Sequence, residues 1–170
     1  MAKSKKEYPA PLCLHCGEVS VLTTGREIFP NMSGLWDKNY YKCPSDCDAY
    51  VGVHKGTLKA LGYPANAEVR KARSHVHKMI DPLWQNAWRG PSYSKSDTSD
   101  PKSRTIIQMS ARHRVYKWLA HKMRISSETC HISMFGIEEC REAYRFCRSV
   151  NYEFIRQWHK EQKKIAENGD

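Results

Sequence analysis

Four cysteines stand in two close pairs, Cys13-Leu-His-Cys16 and Cys43-Pro-Ser-Asp-Cys47. Thiolates are soft ligands, and two of them offered from one tight turn point at the same place. Two such knuckles can close a tetrahedron round one ion. The pattern therefore predicts a single structural Zn2+ held by Cys13, Cys16, Cys43 and Cys47. Gly17 after Cys16 and Pro44 after Cys43 are turn residues that let a backbone fold sharply round a metal. The second knuckle is C-x3-C where zinc ribbons usually have C-x2-C. Either one of Ser45 and Asp46 bulges, or a nearby histidine, His15 or His54, replaces a sulfur. Between Cys16 and Cys43 lie 26 residues, more than the common ribbon spacing of about 15–20. A hairpin with a long tip absorbs the difference.

The second chemical resource is positive charge. The formal net charge is +10, and residues 63–125 hold 13 Lys/Arg against 4 Asp/Glu. Residues 1–62 hold 8 against 6 and residues 126–170 hold 7 against 8, so the excess is a block rather than a background. Such a block predicts a surface for an anionic partner, nucleic acid before others. The candidate phosphate contacts are Lys55, Arg70, Lys71, Arg73, Lys78, Arg112, Arg114, Lys117 and Lys122. Tyr40, Tyr41 and Tyr50 near the second knuckle could stack on bases. Packing against strand faces is the better use for at least two of them.

Other constellations read as structural. His54-Lys55-Gly56-Thr57 would admit a phosphate, but without the glycine spacing of a P-loop it reads as a tight turn out of a strand. His75 and His77 fall about 200° apart on a helix and cannot share an ion. His77 and Asp81, at i and i+4, make a surface pair. Cys130 and His131 are adjacent and do not converge as nucleophile and base. Cys140 and Cys147 lie on an apolar stripe and belong to a core. No nuclease signature is legible, and the balance is against an enzyme.

The elements that must position these residues follow from periodicity. Glu18–Thr23, Lys38–Cys43 and Ala49–His54 are rich in β-branched or aromatic residues and read as three strands, with Asn31-Met-Ser-Gly as a loop tip. A helix should start near Pro64, capped by Asn66, with Val69, Ala72, Val76, Met79, Ile80 and Leu83 on one stripe. Pro82 should distort or end it, where Leu83, Trp84 and Trp88 begin an aromatic cluster. Residues 89–103 are polar and aperiodic, a loop or linker. A helix over 105–123 would turn Val115, Trp118, Leu119 and Met123 inward and Arg112, Arg114, Lys117, His121 and Lys122 outward. Ile137, Cys140, Tyr144 and Cys147 form a later buried stripe, and Gln157–Asp170 is a charged terminal helix that frays. The fold class is thus α+β: a small antiparallel zinc ribbon packed with or followed by a bundle of three or four helices. Its parts are a ribbon module over 1–62, a basic amphipathic helix over 63–88 completing that unit, a flexible linker over 89–103 and a helical region over 104–170.

The order of these features resembles a known family. Cys-x2-Cys, Tyr41-Lys-Cys-Pro and Asp48-Ala-Tyr-Val-Gly-x-His-Lys-Gly-Thr57 are followed by Pro64-Ala-Asn-Ala-Glu-Val-Arg-Lys-Ala-Arg73 and Asp81-Pro-Leu-Trp84. Tyr116-Lys-Trp-Leu-Ala120 and Cys130-His-Ile-Ser-Met-Phe135, with Cys140, complete the series. Over roughly residues 11–148 the chain is similar to the zinc-finger-containing domain family of small proteins of tailed bacteriophages and prophages. The resemblance implies a phage origin and zinc at Cys13, Cys16, Cys43 and Cys47. It implies no activity.

Seven cysteines, four of them in metal spacing, point to a reducing compartment. The amino terminus has basic residues with no hydrophobic stretch behind them and is not a secretory signal, and no apolar run approaches 18 residues. A cytoplasmic protein with no membrane partner is expected, in the host cytoplasm if phage-encoded. No feature specifies an oligomeric state. The leading expectation is a zinc-stabilised, non-enzymatic phage accessory protein that binds DNA or RNA. The alternative is a factor that captures a host protein complex, such as transcription or defence machinery, through an exposed anchor at Trp84 and Trp88. A metal-dependent nuclease is third.

Overall fold

The computed structural model describes residues 8–168. The basic terminus read above as non-secretory (residues 1–7) and the last two residues of the charged tail lie outside them. The chain divides into two compact units, Met1–Lys71 and Ala72–Asp170.

The first unit carries the predicted ribbon. Strands β1 (Val21–Thr24), β2 (Asn39–Lys42) and β3 (Tyr50–Gly52) form an antiparallel sheet in the order β1-β2-β3. The register sets Leu22 opposite Tyr41, and Tyr41 opposite Val51. Alternation along β2 sends Tyr41 inward, where it is buried and its hydroxyl donates to the Leu58 carbonyl at 3.0 Å. Tyr40 and Tyr50 take the other face and meet Phe29 edge-on, with ring centroids 5.5 and 5.4 Å from it. All three tyrosines therefore pack, and their sheet faces explain why.

Between β1 and β2 the long tip contains a feature absent from the sequence reading. A single helical turn, α1 (Gly25–Ile28), is followed by a 3-10 turn over Ser33–Leu35. Gly25 is required by the close approach of backbones, because a Cβ there would stand 1.9 Å from the Leu35 carbonyl oxygen.

Helix α2 (Ala67–Gln85) begins where Asn66 accepts the Val69 amide at 3.1 Å, as its cap. It runs nearly a turn beyond Pro82 before ending. Proline removes one donor, yet the following turn closes through Asn86 N–H on the Pro82 carbonyl at 3.1 Å. The division between the units falls inside this helix.

The second unit is helical. Of the segment 89–103 read as a linker, residues 91–93 make a 3-10 turn and 101–103 already belong to α3 (Pro101–Met123). Asp100 caps α3 by accepting the amides of Lys102 and Ser103 at 3.2 and 2.9 Å. Helices α4 (Ile137–Cys147) and α5 (Tyr152–Asn168) complete the unit. Its core gathers Val76 and Ile80 of α2, Ile107, Ala111, Val115, Trp118 and Leu119 of α3, Cys140, Ala143 and Cys147 of α4, and Ile155 of α5. The predicted stripe of α4 is corrected at two positions, the first being Ile137, which is only half-buried. Tyr144 is exposed, and Ala143 takes the inward place because it lies closer to the centre of the Cys140–Cys147 face.

Candidate metal centre and basic surface

The two knuckles are built to one plan. In the first, the Cys13 amide donates to the Glu18 carbonyl, five residues on, at 2.8 Å. In the second, the Cys43 amide donates to the Ala49 carbonyl, six residues on, at the same 2.8 Å. The one-residue difference is the extra residue of C-x3-C. Each knuckle leaves its second cysteine through a left-handed residue, Gly17 at φ +76° and Asp48 at φ +45°. Aspartate tolerates that region better than most side chains, which is how a non-glycine serves the second turn.

The four sulfurs converge. Every pair of Sγ atoms among Cys13, Cys16, Cys43 and Cys47 lies within 4.8 Å, and Cys16 and Cys43 stand 3.4 Å apart. Around zinc with Zn–S of about 2.3 Å, tetrahedral sulfurs are roughly 3.8 Å from one another. All four cysteines are free thiols, so the cluster is not a pair of disulfides. The donor set fits one structural zinc ion, whose chemistry here is to tie two turns together.

Neither histidine completes the set. His15 Nε2 accepts the Asn66 amide at 3.0 Å, just before α2. His54 lies on an exposed turn in which its amide donates to the Lys59 carbonyl and Gly56 adopts φ +75°. That turn is the one the sequence predicted, with Lys55 at its exposed tip.

The crowding of the thiols shows in the acidities of Cys16, Cys43 and Cys47. The Cys47 thiol is pushed up to about 12, first by its hydrogen bond with Cys16 and then by burial. Burial raises Cys43, whereas the Glu18 amide, followed by neighbouring thiols, holds Cys16 below the ordinary thiol value. Four thiolates cannot coexist at this range without a cation.

The remaining cysteines are of another kind. Cys130, Cys140 and Cys147 are buried in the helical core, where burial pushes their thiols up to about 11, 11 and 12. They are packing groups, and Cys130 is no nucleophile.

The nine candidate phosphate contacts separate into two groups. Lys55, Lys71, Lys78, Arg112, Lys117 and Lys122 are exposed. The other three are engaged by the fold. Arg73 is 8% exposed and its Nε donates to the Phe135 carbonyl at 2.8 Å. Arg114 donates from Nη1 to the Tyr93 and Tyr152 hydroxyls at 3.2 and 3.0 Å. Arg70 lies 3.8 Å over the Tyr50 ring and donates to the Ala65 and Asp48 carbonyls. Each sits where its helix turns toward a neighbour, so its charge is used locally. His77 and Asp81 form the predicted surface pair at 3.2 Å, and the Trp84 indole N–H donates to the same carboxylate at 3.1 Å.

Two further cations were not among the sequence candidates, because one opens the segment read as a linker and the other directly follows it. Arg89 and Arg104 both lie over Trp88, 4.8 and 5.3 Å from its ring centroid. The spacing of Trp84, Trp88 and Arg89 was the available signal. Trp84 and Trp88 themselves are half-buried against the helical core, with guanidinium groups over part of their rings.

Fold and site together define a small α+β protein with a four-cysteine zinc module. A family model described as a zinc-finger-containing domain matches residues 10–150, and the chain belongs to that family. No curated protein and no solved structure matches it. Among the described residues, no helix is long and apolar enough to cross a membrane.

Proposed function

We propose that the protein is a zinc-stabilised accessory factor of a bacteriophage or prophage that binds nucleic acid without catalysis. The charge of its second unit makes the contact, and zinc acts only on the fold of the first. The phage setting rests on the motif resemblance described above. The observation that carries the binding is α3. Its 23 residues include six Lys/Arg, with His113 and His121, and neither Asp nor Glu. Among the described residues, no cation of α3 is in an ion pair with a carboxylate. Lys102, Arg112, Lys117 and Lys122 are exposed along it, and Lys78 of α2 adds another. A solvated charged face normally mixes both signs, so a long helix of one sign favours a polyanion. Phosphate contacts by such residues release condensed counterions, which makes affinity fall steeply with salt.

Fluorescence anisotropy of the zinc-loaded protein with labelled single- and double-stranded DNA and RNA, from about 50 to 200 mM salt, tests this. Binding whose logarithm falls linearly with log salt is expected, the slope reporting the number of phosphates contacted. Absence of binding at the lowest salt would overturn the reading. Divalent-dependent cleavage of the probe would replace it with a nuclease.

A further inference from the structure

The second unit contains a cleft that the basic face alone does not account for. It lies between the end of α2, the 3-10 turn over Ala87–Arg89 and the first turns of α3, and has a volume of about 600 Å³. Trp84, Trp88, Arg89, Arg104, Gln85 and Gln108 are among its walls, and among the described residues no carboxylate lines it. We propose that this cleft is the seat of one unpaired nucleotide of a single-stranded nucleic acid, with its base against the indoles and its phosphate on Arg89 and Arg104. The inference rests on the nucleic-acid reading above and names the form of ligand.

Three observations converge on that chemistry. Two guanidinium groups share one indole, so like charges are held together with nothing of opposite sign in the cleft to offset them. The carboxylates nearby in sequence are engaged elsewhere. Asp81 bonds His77 and the Trp84 N–H, and Asp100, which senses the Arg104 charge, accepts the first amides of α3.

The Arg104 Nε is also shielded from solvent and has no hydrogen-bond partner among the described residues, while its Nη2 donates to the Ser99 carbonyl at 3.1 Å. Guanidinium matches phosphate in two-pronged fashion, and a shift of the Arg104 side chain on binding would bring its unsatisfied Nε onto the phosphate.

The third observation is the character of the walls. Flat aromatic surface accompanies the charge, and Gln85, Asn86 and Gln108 supply neutral donors and acceptors. Aromatic rings, arginine planes and carboxamides are the groups that hold a base that has left its helix. A base paired within a duplex has both faces stacked on its neighbours and cannot lie against these rings, so the cleft selects single strands.

The test uses the full-length zinc-loaded protein and a short DNA strand carrying 5-iodouracil, irradiated in the complex and mapped by mass spectrometry. Cross-links at Trp84 or Trp88 are expected, and cross-links confined to other residues would overturn the proposal. In parallel, the R89Q/R104Q double variant should lose about tenfold or more in affinity for the single strand, and much less for a duplex of equal length. Equal single-strand affinity of the variant and the wild type would remove the cleft but leave nucleic-acid binding standing. If the wild type bound neither form, the functional reading itself would fail, and the cleft's ligand with it. Competition by polyglutamate as effective as that by unlabelled strand would also overturn the proposal, by showing that the cleft accepts any polyanion.

Discussion

At the scale of single residues, the zinc knuckles depend on backbone conformation as much as on sulfur. Gly17 and Asp48 occupy equivalent left-handed positions, and only one of them is glycine. Left-handed backbone costs an L-residue about 1–2 kcal/mol, and more when the side chain is β-branched. Gly17→Val should therefore weaken zinc retention and destabilise the first unit by about 2 kcal/mol or more, lowering its thermal midpoint. Asp48→Gly should be neutral or slightly stabilising, because glycine removes the strain that aspartate tolerates. Competition with a chromophoric chelator measures both variants. Equal loss from the two would show that Asp48 serves the site through its carboxylate.

At the scale of elements, the helices sort their own cations. Arg73 and Arg114 belong to the same basic helices as Lys78 and Lys117, yet they face protein acceptors. Loss of a charged hydrogen bond to a buried carbonyl costs about 1.5–3 kcal/mol. Arg73→Met should accordingly destabilise the second unit by about that amount, with little effect on the salt slope of nucleic-acid binding. Lys117→Glu with Lys122→Glu should do the reverse, leaving the melting midpoint nearly unchanged and flattening the slope by about two contacts. Calorimetry and salt titration on the same samples separate the outcomes. A flattened slope with Arg73→Met and an unchanged one with the double lysine variant would place the contact surface elsewhere.

The same scale shows where periodicity was readable. The inward stripe of α3, with Val115, Trp118, Leu119 and Met123, follows from apolar residues three and four apart, and all four are buried. Tyr144 of α4 followed that rule less well. Its neighbour Ala143 lies nearer the buried face, and tyrosine can lie exposed with its hydroxyl in water. The start of α3 was placed four residues late because Asp-Pro-Lys-Ser has the composition of a loop. In fact Asp100 is a cap and Pro101 the first helical residue, where proline needs no donor.

At the scale of the whole molecule, the two units rely on different means of stabilisation. Cys13, Cys43 and Ala49, with Cys47 packed against them, are a small buried cluster in which three of the four residues are zinc ligands, whereas the helical unit has a large apolar core. Chelation of zinc should therefore abolish the tertiary signal of the first unit and leave most of the helical circular dichroism in place. Alkylation under the same treatment should label four thiols, Cys13, Cys16, Cys43 and Cys47. The three raised thiols of the helical core should react only after denaturation. Zinc affinity should fall as pH drops, because protons compete for thiolates, and metal binding should release protons in a titration calorimeter. Seven thiols labelled on chelation alone would show that the helical unit also depends on the metal.

The sequence by itself determined the zinc site, the three strands and the two long basic helices. Each is a local property: ligand spacing, alternation, and a repeat of three and four. The parallel design of the knuckles was nearly legible too, since C-x3-C announces one added residue, although its left-handed partner at Asp48 has no signature of its own. What only the tertiary structure decided was the fate of individual charges and rings. Whether Arg73 or Lys78 meets solvent depends on which carbonyl a distant segment delivers, here that of Phe135. The cleft at Trp88 arises because α3 begins early enough to place Arg104 over an indole sixteen residues before it in the chain. Spacing along one helix is set by covalent geometry, but juxtaposition between helices is set by packing, and no local pattern records it.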